Sequence, residues 1–129
     1  MSRTYIDTPD RNSLFYRELR LQLQAAGVEL VDSPSDASAT LSILLDETDQ
    51  RVLSVSARNV PTEYEVFYTV EYSLGDEQKS LLEPQLLTLT RDYTFDATLV
   101  LGKAHEEEML REALAEDLVR VVLKQLATL

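Results

Sequence analysis

The chain has 129 residues, 44% of them hydrophobic and 27% charged, which suits one globular domain with its own core and excludes global disorder. With 12 basic against 23 acidic residues the net charge is -11, so the chain repels phosphate backbones and no nucleic-acid partner is expected. Cysteine is absent, which removes disulfides, thiol catalysis and cysteine-based zinc sites, and no apolar run approaches the ~20 residues of a membrane span.

Arg3 to Asp7 reads as a short strand that stops at Thr8-Pro9-Asp10. A helix is predicted from Asn12, because Phe15, Leu19, Leu23 and Ala26 recur on one helical face and Gly27 stands where a C-terminal cap glycine belongs. Val28 to Val31 follows as a short exit strand or extended segment. Thr40 to Leu45 alternates, with Leu41, Ile43 and Leu45 on one face. The polar run Asp46 to Gln50 then interrupts it, as a hairpin tip or a solvated kink, before β-type sequence resumes from Val52 to Ala57.

The strongest strand spans Glu63 to Leu74. Tyr64, Val66, Tyr68, Val70, Tyr72 and Leu74 share one face, opposite Glu63, Glu65, Phe67, Thr69, Glu71 and Ser73, as expected when one face is buried and the other wet. A further strand is predicted from Gln85 to Phe95, antiparallel to it and joined by a long polar connection through Gly75-Asp76-Glu77 and Glu83-Pro84. A long closing helix carries Met109, Leu110, Ala113, Leu114, Leu118, Val122 and Leu126 as its apolar stripe, with Glu106, Glu107 and Glu108 at the start and Lys124 near the end, as the helix dipole favours. These elements predict a single α+β domain over residues 1–129. The expected architecture is a two-layer sandwich, with two helices on one face of a four-stranded, mostly antiparallel mixed sheet.

Catalytic constellations are scarce. The single histidine, His105, begins His-Glu-Glu-Glu-Met, which departs from the H-E-x-x-H zinc signature at Met109. Glycines at 27, 75 and 102 are too scattered for a phosphate-cradling loop, and Asp46-Glu47-Thr48-Asp49 lacks the glycine and distal glutamate of a calcium loop. No catalytic residue, metal or cofactor is therefore expected. The stripe Tyr64, Tyr68 and Tyr72 fits either packing under the helices or anchoring of a protein partner. Arg58, Arg91 and Lys103 stand out as basic residues at structural transitions, and clustered they could hold a phosphate despite the net charge.

The phrase from Leu19-Arg20-Leu21-Gln22-Leu23 to Gly27-Val28-Glu29-Leu30-Val31 resembles the first helix and exit of LptE-type lipopolysaccharide (LPS) assembly lipoproteins. Ser56-Ala57-Arg58-Asn59, then Glu63-Tyr64-Glu65 and Thr69-Val70, is similar to that family's corner and third strand. Arg91 with Tyr93, and Lys103 before an acidic helix start and Met109, is similar to its closing segment. The resemblance implies a non-enzymatic lipoprotein on the periplasmic side of the Gram-negative outer membrane, anchored through an N-terminal lipidated cysteine that this sequence does not contain. It also implies a one-to-one complex with an LptD-type β-barrel, which the domain plugs, and contact with LPS at Arg58 and Lys103; Arg91 is a weaker candidate, suggested by its placement. A generic periplasmic adaptor with an unrelated protein partner is the alternative.

Overall fold

The computed structural model describes residues 1–58, 61–94 and 103–129. The expectations placed on Asn59, Phe95 and Gly102, and on the side chain of Lys103, lie outside the described residues. The elements run β1 (Arg3–Asp7), α1 (Leu14–Ala25), β2 (Glu29–Val31), β3 (Ala39–Val55), β4 (Pro61–Gly75), β5 (Ser80–Thr94) and α2 (Lys103–Ala127), with a single 3-10 turn at Pro34–Asp36.

Helix α1 has local signals at both ends. Ser13 Oγ accepts from Tyr16 N at 3.0 Å, which satisfies one of the amides a helix start leaves unpaired. At the other end Gly27 takes φ +89°, while Val28 N donates to Leu23 O at 3.0 Å and Gly27 N to Gln24 O at 3.1 Å. That pair of bonds is a Schellman cap, which favours glycine because a Cβ is strained at positive φ.

The sheet has five strands in the order β2-β1-β3-β4-β5, one more than expected. The extra strand is the exit segment after Gly27. Glu29, Leu30 and Val31 pair in parallel with Arg3, Thr4 and Tyr5, so three residues suffice to close that edge. β1 also runs parallel to β3, whereas β3-β4 and β4-β5 are antiparallel.

β3 corrects a second expectation. Asp46 to Gln50 is neither a hairpin tip nor a kink but the middle of a 17-residue strand, paired residue by residue with Val70 to Val66. The register slips between Ile43 and Leu45, leaving Leu44 as a bulge. Before the bulge Leu41 and Ile43 face the helices opposite Leu74 and Tyr72; after it Asp46, Thr48 and Gln50 do so, opposite Val70, Tyr68 and Val66. Leu45 therefore lies opposite Glu71 on the outer face, and does not share a face with Leu41 and Ile43.

β4 follows its alternation without exception: all six residues from Tyr64 to Leu74 on the predicted inner face are buried. β5 starts at Ser80 and not at Gln85, so the β4-β5 connection is short. Asp76 holds this turn, its Oδ1 accepting from Gln78 N at 2.8 Å and Lys79 N at 2.9 Å, and these two bonds lower its carboxyl pKa. Pro84 is tolerated because β5 is an edge strand, and it falls within a register shift between Gln85 and Leu82.

Both helices pack on the inner face. The core joins Phe15, Leu19 and Leu23 of α1 to Leu114, Leu118, Val119 and Val122 of α2 over Leu41, Ile43, Val66, Val70 and Tyr72. Met109, assigned to the α2 stripe by spacing, is instead 52% exposed, whereas Ala115 and Val119 are buried. Leu118→Ala is accordingly expected to cost about 2–5 kcal/mol, and Met109→Ala no more than about 0.5 kcal/mol, in urea unfolding. Comparable losses at both positions contradict this packing.

Candidate functional site

Each end of the inner face has its own chemistry. Toward Gly75 the helices cover aliphatic side chains. Toward the closed end of the β3-β4 hairpin the bulge has turned Asp46, Thr48 and Gln50 inward, and the contacts become polar. Tyr68 Oη donates to Asp46 Oδ1 at 2.8 Å and accepts from Phe15 N at 3.1 Å. The relay ties a free amide of the α1 start to the sheet and places a carboxylate behind it, the sign a helix N-terminus favours.

Farther along, Tyr93 stacks on Tyr64 with centroids 5.3 Å apart. The Tyr93 hydroxyl donates to Glu107 of α2 and lies 3.3 Å from Gln50 Oε1. Glu107 is 8% exposed, and Arg111 Nη2 lies 4.0 Å from it. At the opposite end the Tyr72 hydroxyl donates to Gln125. Helix α2 thus enters at the hairpin end and leaves toward Gly75.

That direction places the three basic residues. Arg58 follows β3 at the hairpin end; its side chain is exposed and its amide donates to Ser56 Oγ at 3.2 Å. Lys103 is the first residue of α2, one turn before Glu107, so its backbone stands at the same end of the sheet. Arg91 is on the helix-facing side of β5, where Nη2 meets Asp117 Oδ2 at 2.8 Å; Asp117 also pairs with Arg120. Its charge is already engaged within the domain. Val52, Leu53 and Val55, each about half exposed, give the hairpin end an apolar character beside Arg58. The sequence reading did not bring Asp46, Gln50, Tyr93 and Glu107 together as a buried polar group. One signal was available, since Glu107 sits in phase with Leu110, Leu114 and Leu118 on the apolar stripe.

Among the described residues no helix is long and apolar enough to cross a membrane and no carboxylate or histidine group could hold a metal ion. A family model described as LptE, lipopolysaccharide-assembly, matches residues 1–126. The chain belongs to the LptE family. Among solved structures, rare lipoprotein B from Shewanella oneidensis is 25% identical with a TM-score of 0.83, over 98% of this chain and 94% of that one. An uncharacterized lipoprotein B from Nitrosomonas europaea is 28% identical with a TM-score of 0.80, over 96% and 81%. A minor lipoprotein from Acinetobacter baumannii, 24% identical over 96% and 89%, shares the fold with a TM-score of 0.78. No curated protein matches the sequence. Membership of this family of non-enzymatic lipoproteins gives the LptE domain a role in LPS assembly and is consistent with a place in the cell envelope at the outer membrane.

The helix-facing tyrosines of the LptE domain have a pH signature. Burial pushes the Tyr72 phenol up to about 12. Tyr68 and Tyr93 are pushed up further, first by burial and then by the carboxylates of Asp46 and Glu107. Unfolded tyrosines ionise near pH ~10, so the neutral phenols contribute stability that is complete below that pH and is lost as pH rises through the folded values. Phenolate absorbance of the native domain is expected to lag that of the urea-unfolded chain, with Tm falling above pH ~10. Coincident titration curves with a constant Tm contradict the assignment.

Proposed function

We propose that this domain is the outer-membrane LPS-assembly lipoprotein that forms a one-to-one complex with an LptD-type β-barrel, plugs its lumen and aids its assembly. We further propose that it contacts LPS during delivery to the cell surface, through Arg58 and Lys103 at the hairpin end, with Arg91 a weaker contributor. Anchoring is by an N-terminal lipid on a cysteine outside the present sequence.

One observation carries the plug reading: the helices cover only the inner face of the sheet, and no described element packs on the outer face of β3, β4 and β5. That face presents Glu47, Asp49, Glu63, Glu65, Glu71 and Asp92 among threonines, with Arg51 bridging to Glu65 at 2.8 Å and lying over Phe67. A surface of this kind suits the polar interior of a large barrel better than a lipid face. The LPS reading is supported by the exposed Arg58 side chain at the hairpin end, beside exposed aliphatic side chains, with the backbone of Lys103 at the same end of the sheet. A phosphorylated glycolipid offers groups for both kinds of side chain.

Co-expression with the LptD-type barrel of the same organism is expected to give a one-to-one complex by mass. The Arg58→Ala/Lys103→Ala variant should still form it, yet bind LPS at least about tenfold more weakly. Failure of the complex with both chains folded removes the plug reading, and unchanged LPS affinity removes the two-residue contact.

A further inference from the structure

Helix α2 is held in two different ways along its length. From Leu114 onward it is fastened by apolar contact, with Leu114, Ala115, Leu118, Val119 and Val122 all buried. Among the described side chains before Leu114, Glu107 is buried, Leu110 is half-buried and Met109 is exposed. The surface that receives this first part is correspondingly polar. Beyond the Leu44 bulge β3 offers Gln50, and β5 offers the Tyr93 hydroxyl, stacked on Tyr64. Arg111 closes the group from one turn further along the helix, 4.0 Å from Glu107, with its Nε buried and without a hydrogen-bond partner among the described residues.

Segments with few buried apolar contacts open at a lower free energy than the core they border. We propose that Tyr93, Glu107 and Arg111 form a latch, and that residues 103–111 of α2 open as a separate unit hinged just before Leu114. Releasing the Tyr93–Glu107 bond lowers the cost of opening the helix start, while the Leu114–Val122 contacts hold the rest of the helix in place. The device goes beyond the binding role proposed for Arg58 and Lys103, and it stands whether or not that role does.

Native-state hydrogen exchange resolved by residue tests it. The amides of residues 107–111 have intrahelical partners and report the latched segment, and those of residues 114–122 report the core. In the unaltered domain the first group is expected to exchange through smaller openings than the second. Tyr93→Phe and Glu107→Ala should each accelerate residues 107–111 at least about tenfold and leave residues 114–122 within about twofold. Glu107→Gln keeps an acceptor for the tyrosine and should show a smaller effect. Equal acceleration of both groups, or none in either, overturns the latch. So does equal protection of the two groups in the unaltered domain, which needs no variant to fold.

Discussion

A strand shows alternate residues to alternate faces, and one inserted residue exchanges the faces for everything that follows. In β3 that residue is Leu44, and much of the domain's character depends on it. Upstream, Leu41 and Ile43 lie in the core at less than 5% exposure. Downstream, the same face of the sheet carries Asp46, Thr48 and Gln50. A strand of 17 residues can thus begin as an apolar floor for two helices and end as a polar one without leaving the sheet. Two contacts follow from that switch: the tie from Asp46 through Tyr68 to the start of α1, and the approach of Gln50 to Tyr93.

β4 is the counterpart that stays constant. Its inner residues alternate tyrosine with aliphatic side chains, and each tyrosine hydroxyl needs a polar partner once the ring is buried. Tyr68 finds Asp46 and Tyr72 finds Gln125. The tyrosine stripe is therefore packing as well as hydrogen bonding, and it is turned toward the helices. The opposite face, where Phe67 lies under Arg51 among carboxylates, is the one the plug reading assigns to a partner.

The fold was largely legible in the sequence because its strongest signals are local. Period-two alternation over Glu63–Leu74, the glycine after α1 and the aliphatic spacing from Leu110 to Leu126 each decide their element with little help from the rest of the chain. What could not be read depends on partners far along the chain. Leu45 continues the pattern of Leu41 and Ile43, and only pairing with Glu71 reveals the slipped register. Asp46 to Gln50 has turn-like composition, which its ladder to β4 overrides. Three residues of β2 carry too little pattern to decide between a strand and an extended segment without β1 beside them. At the candidate site, Arg58 and Lys103 were visible as cations at transitions, and the fold puts the backbones of both at one end of the sheet. The pairing of Arg91 with Asp117 was not visible, because 26 residues separate them.

The bulge is tested most directly by comparing two neighbouring residues in urea unfolding. With the register described, Leu45 is on the outer face and Leu45→Thr should cost no more than about 1 kcal/mol. Asp46→Ala removes the acceptor of the buried Tyr68 hydroxyl and should cost about 1–3 kcal/mol. Losing the carboxylate is expected to be the more damaging change. The reverse order, with Leu45→Thr costing several kcal/mol and Asp46→Ala almost nothing, would mean that β3 runs straight and that its polar half faces water.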